Sequence, residues 1–140
     1  VAIGAAEAKK LNKDSSLIFS LHGDGELQEG QTWEAIMYAA GKNVDNLIAT
    51  VDYNGQQIDG ATDEVMPLGE LKAKFEDFGW DVLEMDGHNF DDIFNTIEKA
   101  KSKRGNGKPT MILMKTEMGQ GVDFMVGTHK WHGAAPNDEQ

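Results

Sequence analysis

Leu17-Ile18-Phe19-Ser20-Leu21-His22-Gly23-Asp24-Gly25 is a largely apolar run that breaks into a polar, glycine-rich turn. The pattern recurs three times. Leu47–Val51 runs into Asp52-Tyr53-Asn54-Gly55, and Val82–Met85 into Asp86-Gly87-His88-Asn89. Met111–Met114 is followed shortly by Met118-Gly119-Gln120-Gly121. The runs are nearly continuous in hydrophobicity rather than alternating, which predicts short strands covered on both faces.

Helical spacing fills the intervals. Phe90, Ile93, Phe94, Ile97 and Ala100 fall at i, i+3, i+4, i+7 and i+10, behind an Asn89 N-cap and ahead of Gly105. Leu68, Leu71, Phe75 and Phe78 predict a second helix ended by Gly79, and Trp33, Ile36, Met37 and Ala40 a third from about Gln28 to Gly41. Val1–Leu11 reads as helix already in progress. Alternating strands and helices predict an α/β fold: a doubly wound, mostly parallel sheet with helices on both faces and right-handed crossovers. No linker or repeat divides residues 1–140, which read as one domain or part of one. A start without Met inside a helix, and an end in the loop Gly133–Gln140, read as a fragment of a longer chain.

Such sheets bind ligands at the carboxyl ends of their strands, where all four polar turns fall. Composition narrows the ligand. A formal charge of −11 argues against nucleic-acid and anionic-membrane surfaces. There are no cysteines, hence no disulfide framework and no thiolate metal site; the cytosol is the expected compartment. No stretch reaches the roughly 20 apolar residues of a membrane span.

Gly23-Asp24-Gly25 opens a helix, whose free N–H groups favour phosphate. Yet Asp24, Glu26 and Glu29 would repel phosphate unless a cation intervened. Mg²⁺ or Ca²⁺ takes carboxylate, amide and phosphate oxygens together. Asn54 stands 30 residues after Asp24, at the end of the next strand-like run. A strand–helix–strand unit would bring the two side chains to one sheet edge. There the Asp24 carboxylate, the Asn54 amide oxygen and a carbonyl such as that of Gln56 offer three protein oxygens to one metal.

Gly-Asp-Gly, then 28 residues, then Asn resembles the thiamine diphosphate fingerprint. The finer pattern looks like transketolase: Gly23-Asp24-Gly25-Glu26-Leu27-Gln28-Glu29-Gly30, Trp33-Glu34-Ala35, Asp52-Tyr53-Asn54, Ile58-Asp59-Gly60 and Gly127-Thr128-His129-Lys130-Trp131-His132-Gly133. The resemblance covers essentially the whole chain, which is similar to the diphosphate-binding domain without its N-terminal part, or to the N-terminal subunit of a split bacterial transketolase.

It implies Mg²⁺ (or Ca²⁺) on Asp24, Asn54 and the Gln56 carbonyl, with Gly23 and Gly25 at the cofactor and the Gly25 backbone meeting the diphosphate. Glu29 becomes an acid near the cofactor at a subunit interface, and His129 an active-site histidine touching cofactor and substrate. The implied reaction moves a two-carbon ketol unit between sugar phosphates, as in the pentose phosphate pathway, within a homo- or hetero-oligomer. The implied partner is a complementary, C-terminal chain that binds the cofactor's pyrimidine. Other thiamine diphosphate enzymes (a 1-deoxyxylulose-phosphate synthase, a 2-oxo acid dehydrogenase subunit) and a non-catalytic binding module are the alternatives. His129 and His132 could also be read as a zinc pair, but the sequence offers no third ligand at suitable spacing. Asp86–Asn89 reads as a helix cap, and Asp63-Glu64 as a solvated loop.

Overall fold

A computed structural model describes all 140 residues. Helix α1 (Ala2–Leu11) leads to β1 (Ile18–Gly23), a 3-10 turn (Gly25–Gln28), α2 (Gly30–Gly41) and β2 (Leu47–Tyr53). A small hairpin of β3 (Gln56–Gln57) and β4 (Gly60–Ala61) follows, then the single turn α3 (Thr62–Val65) and α4 (Leu71–Asp77). The chain continues through β5 (Asp81–Asp86), α5 (Phe90–Ser102) and β6 (Thr110–Lys115), and a 3-10 turn (His129–Trp131) lies near the C-terminus. No helix is long and apolar enough to cross a membrane.

The expected α/β architecture is present. Four strands form an all-parallel sheet in the order β1-β2-β6-β5. Successive residues of one strand enter different cores because side chains alternate across a sheet. Leu47, Ala49 and Val51 pack with Ala6 of α1, Ile36 and Ala39 of α2, and Leu71 and Phe75 of α4. Ile48 and Ile112 pack on the opposite face with Ala100, Ile93 and Ile97 of α5.

All four strands run one or two residues past their apolar runs, so Gly23, Asp52, Asp86 and Lys115 belong to the ladder. The register sets Gly23 level with Asp52 and Asp52 level with Met114.

Two expectations, on Leu68 and on Asp63-Glu64, need correction, and three of the side chains that mark helices lie exposed. Phe90 and Phe94 lie in the expected helix, α5, but are 88% and 67% exposed, because α5 turns Thr96 and Ala100 inward. Met37 also lies exposed on α2. Leu68 is buried but precedes α4, which begins at Leu71, whereas the helix expected from about Gln28 to Gly41 is present as α2. Asp63 and Glu64 are exposed as expected but sit in the turn of α3, not in a loop. On the edge strand β1, Phe19 and Leu21 are exposed, since α5 covers only the β5–β6 side of that face.

Trp33 and Trp80 flank Phe75, at ring-centroid distances of 5.5 and 6.3 Å. Trp80 is buried and donates from Nε1 to the Ile36 carbonyl. Phe75 is fully buried at the centre of this cluster. Phe75→Ala is expected to cost about 3–5 kcal/mol in chemical denaturation. A loss within about 0.5 kcal/mol, typical of surface substitutions, contradicts that role.

Candidate functional site

The carboxyl ends of β1, β2 and β6 open into a cleft of about 860 Å³. Asp24 lies at its floor, 1% exposed, where β1 passes into the 3-10 turn. Its N–H donates to the Asp52 carbonyl at 3.2 Å, continuing the β1–β2 ladder by one residue. Its Oδ2 accepts from the Gly55 N–H at 2.6 Å. Removal from water pushes the Asp24 carboxyl above its ordinary pKa. The Gly55 and Gly25 N–H groups oppose that rise, and the neighbouring Asp52 charge adds to it.

Asn54 arrives from β2 onto the same cleft, and its Oδ1 accepts from the Gln56 N–H at 2.8 Å. The topology thus brings together Gly23, Asp24, Gly25, Glu29, Asn54 and Gln56, all of which line the cleft. His129 is not among the lining residues; it starts the C-terminal 3-10 turn, and His132 and Trp131 line the cleft instead.

The glycines divide. A Cβ on Gly25 would stand 2.9 Å from the Gln57 Cβ, so the close approach that requires glycine there is to the β3–β4 hairpin. A Cβ on Gly23 would meet only the Glu26 carboxylate, at 3.7 Å, an ordinary contact.

Sequence reasoning quoted Asp52, Met118 and Gly119 in the turns at the strand ends without giving them a role, and did not reach Thr116 and Glu117. Thr116 donates its hydroxyl to Asp52 Oδ1, and the Glu117 N–H donates to His88 Nε2 at 2.8 Å. The Asp86–Asn89 turn therefore does more than cap α5, although Asn89 does accept from the N–H groups of Asp91 and Asp92. A Cβ on Gly87 would lie 2.5 Å from Thr116 Cγ2, so this turn packs directly under the cleft wall. The missed signal for Asp52 was its spacing: i and i+2 on a strand share a face, which puts Asp52 beside Asn54.

Electrostatics constrain what can bind. Asp24, Glu26, Glu29, Asp52 and Glu117 line the cleft, and no Lys or Arg does. No three His, Asp or Glu side chains are grouped closely enough to hold a metal among themselves. A hard cation here would rest on one buried carboxylate, an amide oxygen, backbone and ligand oxygens. That donor set suits Mg²⁺ or Ca²⁺, and the desolvated Asp24 beside the Asp52 charge fits a cation.

A raised folded-state pKa means that Asp24 stabilises the fold below its unfolded value of about 3.9. That contribution disappears as pH rises through the folded value. Asp24→Asn is therefore expected to raise the Tm of the metal-free chain at neutral pH, with the gain vanishing in acid. A lowered Tm at neutral pH contradicts the assignment of burial as the dominant influence.

Residues 4–140 match the family described as transketolase, thiamine diphosphate binding domain. The chain is 45% identical over 138 residues to a 6-deoxy-6-sulfo-D-fructose transketolase subunit of Clostridium sp. (strain MSTE9), covering 99% of this chain and 50% of that protein. It is 41% identical over 140 residues to an apulose-4-phosphate transketolase subunit from Phocaeicola vulgatus, covering 100% of this chain and 49% of that one. The crystal structure of transketolase from Campylobacter jejuni matches 92% of this chain and 20% of its own, with a TM-score of 0.80 at 33% identity. The chain spans about half the length of the two curated relatives. Fold, cleft and sequence agree: the chain belongs to the transketolase family, through its thiamine diphosphate-binding domain.

Proposed function

We propose that this chain supplies the metal-and-diphosphate half of a transketolase active site. One observation carries the reading: an acid-lined cleft at the strand ends, holding five carboxylates and neither Lys nor Arg. A diphosphate enters such a cleft only with a cation between it and the acids. Asp24, the Asn54 amide oxygen and the Gln56 carbonyl would hold Mg²⁺, or Ca²⁺ in its place, and the Gly25 backbone would meet the diphosphate. When bound, thiamine diphosphate supplies the carbon chemistry by which a two-carbon ketol unit passes from a ketose to an aldose.

The protein's own share is positioning and proton handling. Glu29, exposed at the cleft rim, is the acid proposed to meet a second subunit. His129, three residues before the cleft-lining His132, is the histidine proposed to contact cofactor and substrate. A neutral imidazole suits proton transfer near pH 7. A complementary chain would bind the cofactor's pyrimidine and complete the site, in a homo- or hetero-oligomer. The relatives are named for a sulfonated fructose and for apulose 4-phosphate. The substrate class proposed here is accordingly a ketose with an anionic terminus, not one restricted to pentose phosphate metabolism.

In the complete enzyme, Asp24→Ala is expected to abolish Mg²⁺-dependent affinity for thiamine diphosphate in calorimetry, while circular dichroism stays unchanged. Affinity equal to wild type would sink the ligand assignment. The purified 140-residue chain alone is expected to give no ketol transfer, and appreciable turnover would refute the half-site reading.

A further inference from the structure

We propose that Asp52 is the positioning residue of the metal centre, selecting which end of the Asn54 amide faces the metal; this rests on the reading of Asn54 as a ligand. An Asn side chain presents an oxygen on one side and an NH₂ on the other, nearly equal in size. Only the oxygen binds a hard cation. Left to rotate, the amide would spend part of its time presenting hydrogens to the metal.

Asp52 removes that ambiguity from the NH₂ side, as the Gln56 N–H does from the oxygen side. An ionised carboxylate only accepts hydrogen bonds, so it draws the NH₂ end and repels the oxygen end. Asp52 Oδ2 accepts from Asn54 Nδ2 at 3.3 Å. Asn54 Oδ1 is thereby turned away, toward the Gln56 N–H at 2.8 Å, where one lone pair stays available for a metal.

The carboxylate is itself held. Thr116 donates its hydroxyl to Asp52 Oδ1, so each carboxylate oxygen has its own donor. Thr116 follows β6, and its N–H donates to the Tyr53 carbonyl at 3.4 Å, continuing the β2–β6 ladder. Two neighbouring strands therefore fix the orientation of Asp52 through covalent and ladder geometry. Asp52 needs no direct bond to the metal to do this.

A double-mutant cycle tests the proposal in the chain assembled with its complementary subunit. Mn²⁺ is the probe, and free ion is counted by electron paramagnetic resonance in the presence of thiamine diphosphate. Asp52→Asn is expected to weaken Mn²⁺ binding by about 10–100-fold, as for other partners of metal ligands. The same change in an Asn54→Ala background is expected to add less than about twofold, because the residue acts through Asn54. Thr116→Val, of nearly the same shape, is expected to show the same non-additivity with a smaller loss.

An equal loss in both backgrounds would mean that Asp52 acts through its charge alone, which overturns the proposal. Unchanged binding in Asp52→Asn, with binding lost in Asn54→Ala, overturns it while leaving the ligand reading intact. Unchanged binding in Asn54→Ala alone removes the ligand reading itself.

Discussion

The parallel register of β1 against β2 is the constraint on which the site depends. It sets Gly23 opposite Asp52, and the next ladder bond runs from the Asp24 N–H to the Asp52 carbonyl. With that pairing fixed, Asp24 and Asn54 must leave neighbouring strands at the same height. A slip of one residue would turn β2 over and send Asp52 and Asn54 to the opposite face. Such a slip is resisted by the core, because Leu47, Ala49 and Val51 would exchange places with residues of the other cluster. Hydrophobic patterning thus sets the geometry of a polar site it never touches.

That site is held against its own electrostatics. A carboxylate at 1% exposure beside a second acid is a poor arrangement for a protein alone. The fold tolerates it by donating backbone N–H groups from Gly55 and Gly25 to Asp24, and a Thr116 hydroxyl to Asp52. Those donors orient the acids without neutralising them. The negative charge that remains fits a cation, and the cation in turn would admit a diphosphate to a chain of net charge −11. Family membership and acid-lined geometry therefore lead to the same ligand class by separate routes.

Much of this was legible in the residues. Continuous apolar runs marked all four strands of the parallel sheet, short by their polar last residues, although the edge strand β1 leaves Phe19 and Leu21 exposed on one face. The Asp24–Asn54 pair was legible because its spacing matches one strand–helix–strand unit. Other features left no local mark. The strand order, with β5 at the far edge, depends on which connection crosses which neighbour. The β3–β4 hairpin has two-residue strands of Gln, Gln, Gly and Ala, with no periodicity to read. Phe90 and Phe94 carried the helical spacing of a core face, yet lie exposed, since spacing defines a stripe without saying how much of it is covered. Asp52 was quoted within a motif, but its bond to Thr116 joins residues 64 apart and forms only once β2 and β6 are paired.

The most direct test of the account is an anomalous diffraction measurement on crystals of the assembled enzyme grown with Mn²⁺ and thiamine diphosphate. The account predicts a single strong Mn²⁺ peak in the cleft, bonded to the Asp24 carboxylate, the Asn54 amide oxygen and the Gln56 carbonyl at about 2.2 Å. A peak away from these three oxygens, or diphosphate bound in the cleft with no metal beside Asp24, would contradict it.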